Sequence, residues 1–116
     1  MEMVIDGIYS ATARWDDAEA LETLFASLPP PIVANIREGR QQNLDCFYGM
    51  RHDEATQRAF YFVTDAARVQ VWTFKPASEY EAAGMWAAIE DEPHIDLAVA
   101  MRVYRRVTGR HAQFVQ

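Results

Sequence analysis

Residues 59–74 read Ala-Phe-Tyr-Phe-Val-Thr-Asp-Ala-Ala-Arg-Val-Gln-Val-Trp-Thr-Phe, and this stretch decides the fold class. Residues 59–64 and 69–74 are rich in the β-branched and aromatic side chains that favour strands. Residues 65–68 are too few for the long crossover that parallel neighbours need, so the two strands are predicted to be antiparallel. Apolar side chains lie on both faces of the first strand, which predicts a central position in the sheet.

Two further strands are predicted upstream of this pair. Residues 3–9 supply β-branched and aromatic bulk, with Asp6-Gly7 as a bulge or an early turn. Residues 44–51 alternate between the two faces of a strand, and a polar loop follows at residues 51–58. One face of that strand carries four apolar side chains: Leu44, Cys46, Tyr48 and Met50.

A first helix is predicted to begin at Asp16 or Asp17, and Asp16 has capping-box spacing with Glu19. The helix ends at the prolines of residues 29–31, because proline lacks the backbone donor. Trp15 precedes the cap and is expected to pack as a hydrophobic staple or a core residue. The apolar face of this helix follows the i, i+3, i+4, i+7 spacing: Leu21, Leu24, Phe25 and Leu28.

Three more helices are predicted. A short one covers residues 31–38, with a strand as the alternative, and Gly39 is expected to stop it. The third has Ser78 as its N-cap, in capping-box spacing with an acid three residues later. The fourth begins at Asp96 and ends at Gly109, a residue type common just after a helix.

The predicted order of elements is therefore β-α-(α)-β-β-β-α-α. The fold class is α+β, with an antiparallel sheet of three to four strands and helices packed on one face. Residues 1–116 are expected to form a single domain, because the length suits one domain and no linker interrupts the pattern.

The chain is acidic, with 17 acids against 11 basic residues and a formal net charge of −6. Such a field repels phosphate backbones, which disfavours direct nucleic-acid binding, and it attracts a basic protein partner. The alternative is that the acidity only keeps the protein soluble. No apolar run approaches a membrane span and no secretory signal is present, so neither a membrane association nor export is expected.

The motifs of common enzymes are missing, and no cofactor, metal or catalytic residue is predicted. Cys46 is the sole cysteine, which favours a reducing cytoplasmic location. A thiol nucleophile would need His52 or His94 nearby, but the alternation places Cys46 on the core face. The histidines His52, His94 and His111 lack the spacing of a zinc site.

An acidic triplet, Glu90-Asp91-Glu92, closes the third helix, where the helix dipole disfavours negative charge. Either arginines of the last helix neutralise it, or it is simply solvated, or it contacts a basic partner. The third interpretation makes Asp53, Glu54 and the triplet the candidate partner-binding residues.

Three functions are compatible with the sequence. The first is a small acidic inhibitor of a basic target, of the toxin-immunity or phage anti-defence (anti-CRISPR-like) type. The second is a ligand-binding domain or small enzyme with a pocket between sheet and helices, lined by Tyr48, Tyr61, Trp72 and His94. The third is a structural subunit or homodimeric adaptor that pairs through a free sheet edge.

Overall fold

The computed structural model describes residues 2–5, 8–42 and 46–109, with side chains from residue 8 onward. The predicted bulge at Asp6-Gly7, Leu44 and His111 lie outside the described residues. The elements in chain order are β1 (Glu2–Ile5), β2 (Ile8–Arg14), α1 (Ala18–Ala26), α2 (Pro30–Gln42), β3 (Cys46–Asp53), β4 (Arg58–Asp65), β5 (Arg68–Phe74), α3 (Glu79–Glu90) and α4 (Leu97–Thr108).

The α+β class, the antiparallel sheet and the order of elements are confirmed. The described sheet has five strands in the order β1-β2-β5-β4-β3. The additional strand arises at the N-terminus, where the single strand predicted over residues 3–9 is two strands. The second of these, β2, continues to Arg14 and pairs along its whole length with β5.

The predicted central strand is confirmed, because β4 lies between β5 and β3. Its alternate side chains enter two separate cores. Phe60 and Phe62 pack with α1 and α2 on what we call the first face. Ala59 and Tyr61 pack with α3 and α4 on the second face.

The helices therefore lie on both faces of the sheet, rather than on the one face expected from the sequence. The physical reason is the pattern of β4 itself, whose two apolar faces both need cover from water. The first core includes Leu24, Ile32 and Ile36 from α1 and α2. The second core includes Met85 from α3 and Tyr104 from α4.

The two ends of α4 and the start of α3 follow the sequence prediction. Ser78 accepts a hydrogen bond from the Glu81 amide at the start of α3. Asp96 accepts one from the Val99 amide at the start of α4. Gly109 ends α4 with a φ of 72°, in the left-handed region that favours glycine.

Of the two residues predicted as the start of α1, Asp17 is confirmed and the capping box from Asp16 is wrong, and the predicted stop of α2 is also wrong. The N-cap of α1 is Asp17, which accepts from the Ala20 amide, whereas Asp16 pairs with Arg14 instead. Gly39 does not stop α2, which continues to Gln42. Gly39 is buried inside the helix because the Phe47 ring of β3 packs directly against it.

Candidate functional site

Helix α3 has a solvent-facing side opposite its buried stripe. The buried stripe consists of Ala82, Met85 and Ile89. The exposed positions recur three and four residues apart, as one helical face requires. We call this face the α3 surface, and its exposed residues are Glu79, Tyr80, Ala83, Ala87, Glu90 and the C-cap Asp91.

The α3 surface carries carboxylates at both ends, and α3 itself contains no basic residue. Glu79 lies in the first turn, where the helix dipole stabilises negative charge. Glu90 and Asp91 lie at the opposite end, where the same dipole opposes it. Between them Tyr80 is 89% exposed, the largest exposed fraction among the large hydrophobic side chains of the described residues.

The third acid of the triplet has a different environment. A carboxylate oxygen of Glu92 lies 2.9 Å from a guanidinium nitrogen of Arg102 in α4. This ion pair agrees with the interpretation in which arginines of the last helix neutralise the triplet, but it involves only one of the three acids, Glu92. Within the described ranges, no ion pair joins a base to Glu90 or Asp91.

The two acids of the β3–β4 turn lie apart from the triplet. Asp53 accepts hydrogen bonds from the amide and the hydroxyl of Thr56, so its carboxylate holds the turn together. It lines a groove beside residues 29–31 and Phe60, on the first face of the sheet. Glu54 is exposed in the turn. The five candidate residues therefore do not form one patch, because α3 lies on the second face.

The four aromatic residues proposed as a pocket lining come together as a row on the second face. The ring centroids of His94 and Tyr48 are 6.0 Å apart, and those of Tyr48 and Tyr61 are 6.5 Å apart. Trp72 completes the row at 5.9 Å from Tyr61. At such distances the rings pack against one another. Burial, with a smaller effect of Asp96, raises the pKa of Tyr61 above its ordinary value.

The structure excludes the pairing of Cys46 with His52. Cys46 is exposed, not buried as predicted, because it begins β3 at the edge of the sheet. His52 lies six residues along the same extended strand, roughly 20 Å away. The His52 ring stacks on Trp86 of α3, with ring centroids 5.2 Å apart. Its Nε2 atom is buried and has no hydrogen-bond partner in the described part of the chain.

Sequence reasoning missed a groove on the first face between α1 and the sheet. One part, of about 470 Å³, is lined by Asp17 and Glu19 together with β2 residues. An adjoining part, of about 410 Å³, shares Leu24 and Ser27 with it. The groove depends on the far half of β2, residues 10–14, which the sequence did not predict as a strand.

Sequence reasoning also missed a cluster of arginines around Trp15. Trp15 is partly buried against the first core, with its ring centroid 6.3 Å from that of Phe25. Arg40 lies over the Trp15 ring at 4.4 Å and Arg37 lies over the Phe25 ring at 4.8 Å. These residues come from separate segments of the chain, so no local sequence pattern indicates the cluster.

Two further searches concern only the described residues. No helix there is long and apolar enough to cross a membrane. No group of three or more side chains of the metal-binding types His, Cys, Asp and Glu comes together there. Comparison of the chain with protein-family models, with curated proteins and with solved structures found no match.

Proposed function

We propose that the protein is a non-catalytic binding protein that covers a basic surface of a target protein. It acts as an inhibitor, of the toxin-immunity or phage anti-defence type, in the cytoplasm. The observation that carries the proposal is the α3 surface, where exposed carboxylates flank an exposed tyrosine on a helix without cations.

The charges at the end of α3 act against the stability of the helix. A carboxylate in the last turn costs on the order of 0.3–1 kcal/mol through the helix dipole. Arg102 offsets this cost at Glu92, whereas Glu90 and Asp91 are exposed and have no such partner among the described residues. Carboxylates kept at a position that disfavours them support a role outside the fold.

Tyr80 adds an anchor to the charged surface. Tyrosine is enriched in protein interfaces because it offers a large, rigid contact area with few rotatable bonds. The next exposed positions on the helix, Ala83 and Ala87, are small. The Tyr80 ring therefore projects beyond its small neighbours on the exposed face of the helix, so that it can enter a pocket of the partner.

The overall charge supports the same kind of partner. A net charge of −6 steers a basic protein towards the molecule and raises the association rate at low salt. Acids at the interface centre then fix the bound orientation, because a misplaced basic partner loses its counter-charges.

The test begins with a partner captured from the native host, purified and measured by calorimetry. The double variant E90K/D91K is expected to weaken binding by about tenfold or more and to flatten its salt dependence. The matched control, E19K/E22K, makes the same change of net charge on the exposed side of α1, on the first face. It is expected to slow association slightly and to preserve most of the affinity.

A second variant separates the anchor from the charge. Y80A is expected to weaken binding by about tenfold or more, since a few anchor residues, often tyrosines that enter a pocket of the partner, dominate the binding energy of an interface. The proposal is wrong if E90K/D91K and Y80A both bind the captured partner as tightly as the unaltered chain.

The aromatic row favours a second candidate function, that of a small-ligand-binding domain. The structure places His94, Tyr48, Tyr61 and Trp72 in consecutive contact, and Tyr48 is 44% exposed. A ligand that binds there raises the melting temperature, and Y48A abolishes that rise. A panel of small metabolites that leaves the melting temperature unchanged counts against this candidate.

A further inference from the structure

Trp15 is a fixed platform at one end of the sheet. Its backbone amide donates to the Ala67 carbonyl at 3.0 Å. Its indole nitrogen donates to the Asp65 carbonyl, also at 3.0 Å. Both bonds reach the β4–β5 turn, so the turn and the indole hold each other in one orientation.

Two guanidinium groups of α2 rest on aromatic rings beside this turn. Arg40 covers the Trp15 ring and Arg37, one helical turn earlier, covers the Phe25 ring. No carboxylate of the described ranges forms an ion pair with either arginine. Glu38, the nearest acid in sequence, is hydrogen-bonded to Gln42. Stacking of this kind orders the guanidinium plane and leaves its edge donors available.

Two more arginines lie at the same end of the sheet. Arg14 and Arg68 are directly opposite each other in the β2–β5 pairing, an arrangement that like charges disfavour. Arg14 is neutralised by Asp16 through two hydrogen bonds of 3.0 and 3.1 Å. The carboxylate of Asp65 already accepts the amides of Ala67 and Arg68.

Arg14 and Arg68 alternate with Ala13 and Val69 of the first core, so their side chains belong to the second face. The cations beside Trp15 on the first face are therefore Arg37 and Arg40, on a chain whose net charge is −6. The surface also has space for a ligand group. Trp15 and Arg40 line two adjoining open clefts of about 500 and 630 Å³. Ala66 and Ala67 form part of the first cleft, and their small side chains leave it open.

We propose that this arginine–tryptophan cluster, made of Trp15, Arg37 and Arg40, binds the carboxylate side chains of an acidic protein segment. Guanidinium edges bind carboxylates through two parallel hydrogen bonds, and stacked arginines lose little freedom when they do so. The site lies on the first face, whereas the α3 surface lies on the second. It is independent of the function proposed above.

A nucleic acid fits this cluster less well than an acidic peptide. Binding of single strands needs aromatic faces on which bases can stack. Arg40 covers the Trp15 ring and Phe25 packs beside it.

The test uses a fluorescein-labelled peptide of alternating glutamate and glycine, at about 150 mM salt, where the Debye length is about 8 Å, with fluorescence anisotropy as the readout. The unaltered chain is expected to bind it and to ignore the same peptide with glutamine in place of glutamate. R37Q/R40Q is expected to reduce the affinity by about tenfold, because two charge-assisted contacts are lost. R40K retains the charge but not the planar fork, and is expected to weaken binding by a smaller factor.

The matched control is R105Q/R106Q, which removes two exposed charges from the last turn of α4 on the other side of the sheet. It is expected to leave the affinity for the peptide within about twofold, since surface charges beyond a Debye length are screened. Melting temperatures of all variants confirm that they fold. Equal loss in both double variants, no binding of the acidic peptide, or tighter binding of single-stranded DNA would each overturn the proposal.

Discussion

The His52 side chain makes a favourable aromatic contact but leaves one of its ring nitrogens without a hydrogen bond among the described residues. Its ring stacks on Trp86 while its buried Nε2 atom lacks a partner in the described structure. H52F retains the stacking and removes the unpaired polar atom, so stability is expected to be unchanged or to rise by about 1 kcal/mol. H52A loses the stacking and is expected to be less stable. Urea unfolding of the two variants checks this, and H52F being the less stable variant would contradict it.

Asp65 contributes stability that depends on pH. Its carboxylate accepts the Arg68 and Ala67 amides, and these bonds lower its pKa from the ordinary value. Because folding favours the ionised form, the stabilisation is present above the unfolded pKa of about 4 and is lost as the pH falls through the folded pKa. D65N is therefore expected to be less stable than the unaltered chain at neutral pH. In urea unfolding, the difference in stability between D65N and the unaltered chain should narrow as the pH is lowered. A difference that stays constant would mean that the loss comes from altered hydrogen-bond geometry and not from the charge.

At the scale of elements, two helical glycines lead to opposite predictions. A Cβ atom at Gly39 would overlap the Phe47 ring, whereas one at Gly84 would lie 3.4 Å from a Val107 methyl group, an ordinary contact. G39A is expected to destabilise the protein by about 1–3 kcal/mol through overpacking. G84A is expected to stabilise it by up to about 1 kcal/mol through helix propensity. Thermal unfolding measures both, and F47L should restore part of the loss in G39A.

The end of α3 allows stability to be separated from binding. Lysines in place of Glu90 and Asp91 interact favourably with the C-terminal end of the dipole. E90K/D91K is therefore expected to raise stability by roughly 0.5–1 kcal/mol while it weakens binding of the basic partner. A variant that is more stable and still binds fully would show that the acids are only a solvated helix end.

The sequence correctly predicted features that depend only on residues close together in the chain. Ser78, Asp96 and Gly109 were predicted correctly because a cap depends on residues within one turn of it. The far half of β2 was missed because residues 10–13 are Ser, Ala, Thr and Ala, of which only Thr favours a strand. Ser10 is nevertheless buried there, and its hydroxyl accepts from Gln70 of the neighbouring strand. Pairing with β5 therefore overrides the local preference.

At the scale of the whole molecule, the sequence predicted two apolar faces of β4 but not which helices would cover them. Each helix pair is joined to its neighbouring strand by a short connection, which allows the pair to pack on either side of the sheet. The arginine–tryptophan cluster was beyond prediction for the same reason, since Trp15 and Arg40 meet only once α2 lies on the first face. The acids of the triplet were found because they are consecutive in the chain.

The placement of the two proposed surfaces on opposite faces leads to the last prediction. A sheet and its helix layers separate the α3 surface from the arginine–tryptophan cluster, by roughly two helix diameters, or about 20 Å. At about 150 mM salt the Debye length is about 8 Å, so charges on one surface are screened from the other. E90K/D91K is therefore expected to leave the affinity for the acidic peptide within about twofold under these conditions. At about 10 mM salt the Debye length reaches about 30 Å, and the less negative variant is expected to bind the peptide more tightly. Anisotropy titrations at the two salt concentrations measure this, and a large change at the higher one would mean that the two surfaces are coupled through the fold.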